Sequence, residues 1–176
     1  PDRLTFDLDP NRKPDIVGDA HSLPFASGEF EMILCTEVLE HIRDPKVAIR
    51  EMRRVLASDG ILILTTRFVY PLHDTPNDFW RFTKYGLLEL FKEWEIIELT
   101  AETKSFSTVA VLLQRIAFQS RLRLNKFSKA IIFLLAYIFK HLDFLLKEEY
   151  GDIRKSRIEK DLMPSGYYIV CKKSPQ

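Results

Sequence analysis

Carboxylates recur in this chain where short apolar runs end. Asp7 and Asp9 interrupt Thr5-Phe6 and Leu8 before Pro10-Asn11 breaks the run, and Asp15-Ile16-Val17-Gly18-Asp19 closes again on an acid. Further on, Glu37, Glu40 and His41 stand at i, i+3 and i+4, a spacing that puts all three on one face if the segment is helical. Two carboxylates and an imidazole so placed can hold a divalent ion. The preferred reading is a structural one, with His41 in a packed, hydrogen-bonded role. Cys35 and Cys171 each lie inside an apolar run and lack metal-ligand spacing, so both are expected to be buried free thiols.

The elements that must position these groups alternate between strand and helix. After the two short acid-terminated runs, Phe30 to Cys35 is nearly continuous in apolar character, as in a strand covered on both faces. Asp44-Pro45 supplies an N-cap followed by proline at the first helical position, and Ala48, Met52, Val55 and Leu56 recur at helical spacing. That helix is expected to stop at Ser58-Asp59-Gly60, before a strand over Ile61 to Thr65. Strand, helix and strand in this order make a right-handed βαβ unit. Arg67 to Arg81 has neither period and reads as a functional loop. A helix over Thr83 to Lys92 and a strand over Glu95 to Leu99 follow.

Residues 107 to about 149 read as two helices broken near Asn125. The second carries a stripe of Ile131, Leu135, Ile138, Leu142 and Leu145. A charged link over Gly151 to Lys160 leads to a last strand, Gly166 to Cys171. The pattern thus predicts a core over 1–106, a helical insertion or lid over 107–160 and a closing strand within 161–176. Ligands of open α/β sheets bind outside the carboxyl ends of the strands. The positions to examine are therefore Asp7, Asp19, the segment after Cys35 and the loop after Thr65.

At 176 residues, with 46% apolar and 12% aromatic residues, the chain has enough material for a core of its own. A net charge of +1 provides no global field to attract nucleic acid or membrane, and no nucleic-acid partner is expected. The opening residues are too short and too acidic for a secretory signal, so the expected location is cytoplasmic.

FDLDP (6–10), GDAHSLPF (18–25), FEMILCTEVLEHIRDP (30–45) and REMRRVLASDGILILTT (50–66) together resemble the class I S-adenosylmethionine-dependent methyltransferases. The resemblance is to the large subgroup with GDAxxLPF followed by EVLEH. It implies a Rossmann-like, doubly wound, mostly parallel sheet with a helical insertion before its last strand. The family's first strand and glycine-rich turn have no counterpart ahead of Asp7, where only six residues stand.

By the same resemblance, Asp7 accepts hydrogen bonds from the ribose hydroxyls of S-adenosylmethionine, and Asp19 and the Ala20 amide meet the adenine, with Leu23 and Phe25 packing nearby. Cys35 and Thr36 lie beside the methionine portion. Residues 70–83 resemble a loop of bacterial methyltransferases associated with cell-surface polysaccharide genes. There His73 is the candidate general base, a group suited to neutral pH; a structural role for it is equally open. Asp78 and Arg81 read as a structural ion pair.

The activity implied is methyl transfer to an O or N of a small molecule or glycan precursor. The alternative is a non-catalytic module of the same fold acting through its helical arm. Glu37, Glu40 and His41 form the alternative metal set. For the insertion, with its basic first half and apolar second half, the readings are a lid or homodimer arm packed on protein, which is preferred, and a peripheral contact with a membrane surface.

Overall fold

The computed structural model describes residues 3–174, which fall into two compact units. The first comprises the described residues up to Thr66, Pro76–Leu99 and the segment from Tyr168 onward. The second comprises Arg67–Thr75 and Thr100–Tyr167.

In the first unit, β1 (Phe6–Asp7) and β2 (Ile16–Val17) pair in parallel, Phe6 with Ile16 and Asp7 with Val17. A second sheet has the order β3 (Phe30–Thr36), β4 (Leu56–Arg67), β8 (Gly166–Lys172), β5 (Glu95–Ala101). β3 and β4 are parallel. β8 runs antiparallel to β4, as the bonds from Lys173 N to Gly60 O and from Phe68 N to Ser165 O at opposite ends require. The pairings β1–β2 and β3–β4 are parallel and the four-stranded sheet is mixed, within the α/β class that the sequence pattern implies. Met32 and Leu34 of the edge strand β3 share a face and are exposed.

Helix α1 (Pro45–Val55) connects β3 to β4. Asp44 caps it by accepting from the amides of Lys46 and Val47, Pro45 occupies its first turn, and Ala48, Ile49, Met52 and Val55 are buried. It ends earlier than its periodicity suggests. Leu56 already pairs with Phe30, and the register slips before Met32 meets Ile61. The extra residues 57–60 are thus a bulged entry into β4, with Asp59 in the left-handed region (φ 64°). α2 (Lys84–Leu90) is capped by Thr83, which accepts from the Gly86 amide, and it buries Leu87. Phe91 and Trp94 pack edge-on just beyond it.

The second unit is built on a hairpin of α3 (Ser105–Gln119) and α4 (Asn125–Lys140). The break falls where the sequence places it, but helix does not continue to 149: α4 ends at Lys140 and a 3₁₀ turn covers Asp143–Leu145. Nor is the charged segment after it only a link. β6 (Glu149–Tyr150) and β7 (Ile158–Glu159) pair antiparallel across it. The N-terminus of α3 is capped from a distance, the Asp143 carboxylate accepting from the amides of Phe106 and Ser107 and from the Ser107 hydroxyl. Among the described residues no helix is long and apolar enough to cross a membrane.

Candidate functional site

Asp7 ends β1 and Asp19 stands one residue beyond the parallel neighbour β2, and the Gly18 amide donates to the Asp7 carbonyl between them. A Cβ at Gly18 would lie 2.7 Å from the Phe6 ring, so any larger residue there would have to displace that ring. Asp7 accepts from the Asp9 amide through Oδ1, with Arg12 3.7 Å from Oδ2. Asp19 accepts through Oδ1 from the His21 amide and from His21 Nδ1, at 2.9 and 2.5 Å. These two bonds, the amide first, hold its carboxyl below the ordinary range. The Asp19 side chain is 58% exposed, and its Oδ2 has no donor among the described residues.

His21 is a site residue that spacing alone does not reveal. Its Nδ1 donates to Asp19, and its Nε2 accepts from the amide of Asp44, 23 residues away. One imidazole so ties the acid after β2 to the cap of α1, in the neutral form with the proton on Nδ1. The remainder of the loop is clamped to the same helix. Glu51 accepts from the Leu23 amide, while Arg54 pairs with Glu51 and donates to the carbonyls of Leu23 and Phe25. Half-buried Phe25 stacks edge-on against both Phe6 and Phe30, joining β1 to β3. Arg54→Ala is expected to destabilise the protein only slightly, because a third of the side chain meets solvent, while freeing the loop from α1. Urea unfolding checks the cost, and faster hydrogen exchange at the Leu23 amide would report the loosened loop.

Cys35 and Thr36 end β3 with opposite orientations. Cys35 turns into the core, where burial, and secondarily the nearby Glu40 charge, push its thiol up to about 12; Thr36 faces out. Cys171 is likewise buried and free, its thiol raised to about 12 by burial. Neither sulfur is a nucleophile at neutral pH. Of the pair at the strand end, only Thr36 offers an exposed side chain.

The segment after β3 is not an α-helix, so Glu37, Glu40 and His41 do not line one helical face. Glu37 takes a left-handed conformation (φ 56°) and Leu39–His41 forms a single 3₁₀ turn. The three groups have separate tasks. The Glu37 carboxylate accepts from Thr65 Oγ1, and its amide donates to the Thr65 carbonyl. Glu40 is fully buried and accepts from Thr66 Oγ1 at 2.8 Å, burial raising its carboxyl above the ordinary range. His41 Nδ1 donates to the Asn77 carbonyl at 2.6 Å. The loop over 77–81 is fastened to this turn by three further bonds, from the Phe79 and Trp80 amides to the Glu40 carbonyl and from Trp80 Nε1 to the Ile42 carbonyl. Asp78 and Arg81 form the expected ion pair, both guanidinium nitrogens bonding the carboxylate at 2.7 Å.

His73 belongs to the second unit. It is half-buried, with its ring edge-on to Tyr70 at 5.2 Å between centroids. Tyr70 itself lies between two guanidinium groups, those of Arg67 and Arg115, at 4.5 and 4.7 Å. Arg67 also pairs with Glu102 at 2.7 Å.

Parallel strands joined through a crossover helix, with acids at the carboxyl ends of β1 and β2, define an α/β unit of the doubly wound kind. Residues 6–64 match a family model described as a methyltransferase domain. The matched segments include 48 residues at 42% identity to norajmaline N-methyltransferase of Rauvolfia serpentina, 27% of this chain and 16% of that protein. Demethylmenaquinone methyltransferase of Renibacterium salmoninarum is 38% identical over 63 residues, 34% of this chain and 26% of that protein. The matched region is thus about a quarter or less of these relatives' lengths.

Among solved structures, a putative methyltransferase from Bacillus halodurans superposes with a TM-score of 0.57 at 18% identity, over 98% of this chain and 81% of that one. The [4+2]-cyclase SpnF superposes with a TM-score of 0.51 at 17% identity, over 92% and 56%. Over residues 6–64 the chain is thus similar to methyltransferase domains, and its fold is the one these solved structures share.

Proposed function

We propose that the protein transfers a methyl group from S-adenosylmethionine to an oxygen or nitrogen of a small molecule or glycan precursor. The observation that carries this reading is the pair of acids at the carboxyl ends of β1 and β2, half-buried Asp7 and exposed Asp19. The donor set fits the nucleoside half of the cofactor: carboxylates offer acceptors alone, which suits a vicinal diol at Asp7 and an exocyclic amino group at Asp19. The Ala20 amide completes the adenine side, and Cys35 and Thr36 border the methionine portion, Thr36 through its exposed side chain. β3 is the edge strand of its sheet, so a further strand can pair along it. Such a strand, ending in a glycine-rich turn, would supply amides to the amino-acid end.

When bound, the sulfonium supplies an electrophilic methyl carbon. The chain's own tasks are to align and to accept a proton. His73 takes the proton from the acceptor hydroxyl or amine as its lone pair attacks. Norajmaline N-methyltransferase, by its name, acts on a nitrogen, which supports that option.

Calorimetry of the complete protein with S-adenosylmethionine tests the reading. One-to-one binding is expected, and no heat at millimolar ligand would overturn it. For His73, labelled methyl incorporation from S-adenosylmethionine into an extract of the source cells is the assay. His73→Ala is expected to lower the rate by about 10²–10⁴ with cofactor affinity unchanged. A parallel loss of affinity and melting temperature would make His73 structural instead.

A further inference from the structure

Between Glu102 and Asp143 the chain contains no acid at all, but seven cations: Lys104, Arg115, Arg121, Arg123, Lys126, Lys129 and Lys140. This is the α3–α4 hairpin. Its apolar side chains are not packed as their spacing suggests. Phe127, Ile131, Leu134 and Ile138 recur at i, i+4, i+7 and i+11 on one face of α4, the arrangement of a core-facing stripe, and all four are exposed, Phe127 by 66% and Leu134 by 60%. Ala136 alone on this helix is buried. The end of α3 adds Phe118 and the connection adds Leu124, exposed by 69% and 79%, near Arg121, Arg123 and Lys126 in the sequence.

We propose that this hairpin docks on an anionic bilayer surface, with α4 lying in the plane of the interface and the basic connection on the lipid headgroups. The inference is independent of the methyl-transfer reading. Length excludes a span: sixteen residues rise about 24 Å, short of a hydrocarbon core of about 30 Å. Charge decides between a membrane and a second copy. A two-fold contact through the same face would bring two acid-free, cationic hairpins together, and like charges oppose that association. An anionic leaflet answers both halves of the composition, taking up the apolar stripe and attracting the cations.

The test is sedimentation of the complete protein with vesicles, either of phosphatidylcholine alone or of phosphatidylcholine doped with phosphatidylglycerol. Binding to the doped vesicles only, weakened by salt, is expected. Phe127→Glu with Leu134→Glu should reduce that binding at least about tenfold, since two apolar anchors are lost and two repelled charges gained. Arg121→Gln, Arg123→Gln and Lys126→Gln should each lower it by roughly fivefold. Because all five side chains are exposed, circular dichroism and melting temperature should be unchanged, which separates lost docking from lost folding. No binding to anionic vesicles, or equal binding by the glutamate variant, overturns the proposal. So does a stable dimer in sedimentation velocity that the glutamate variant dissociates.

Discussion

Arg81→Ala is expected to destabilise the protein by about 3 kcal/mol, the effect of removing one member of a buried ion pair. The Asp78 side chain is only 1% exposed, and it receives both guanidinium nitrogens at 2.7 Å. Asp78 gives Arg81 a bidentate anchor, and this bond is the chief reason the Arg81 guanidinium holds its proton more tightly than usual. Without Arg81 the carboxylate stays in the interior and its charge loses its principal neutralising group. For a chain of this size the loss should lower Tm by about 10 °C, measurable by calorimetry. Asp78→Asn in the Arg81→Ala background should recover part of the stability. An unaltered Tm in the single variant would show that the pair contributes nothing to holding residues 77–81 against the Leu39–His41 turn.

Asp7→Ala is expected to weaken S-adenosylmethionine binding by roughly 10- to 100-fold, the range for losing charged hydrogen bonds to a ligand diol. Its effect on stability should be small by comparison, since the half-buried carboxylate contributes one bond to the Asp9 amide and faces Arg12 at 3.7 Å. Asp7→Asn, which keeps one acceptor and adds a donor, should lie between the two. Titration calorimetry on the complete protein measures the affinities, and thermal melts separate them from folding. Unchanged affinity in Asp7→Ala would remove this residue from the ribose role and, with it, the main support for the arrangement proposed around β1 and β2.

Local signals in the chain were reliable wherever the deciding atoms are close in sequence. Asp44-Pro45 specifies the start of α1 because the cap's acceptor and the donors it satisfies lie within three residues. Alternating burial along β4 follows from the two-residue period of a strand. The acids after β1 and β2 are legible because strand ends are marked by the chain's own breaks, and the family resemblance rests on those same ordered segments. The pairing of Asp78 with Arg81 spans three residues and was legible for that reason.

What the sequence could not determine depends on partners brought together by folding. His21 gains its role only because the amide of Asp44 comes to it, and Arg54 only because Leu23 and Phe25 turn their carbonyls toward α1. Asp143 caps α3 from beyond α4, where no local pattern links them. Spacing placed Glu37, Glu40 and His41 on one face by assuming a helix. The bonds of Glu37 to Thr65 and of Glu40 to Thr66, on a neighbouring strand, instead hold a left-handed residue and a 3₁₀ turn. Periodicity likewise identifies the apolar stripe of α4 but not what covers it. A hydrophobic pattern records which side chains avoid water, whereas their burial is decided by the surfaces that tertiary structure brings within reach.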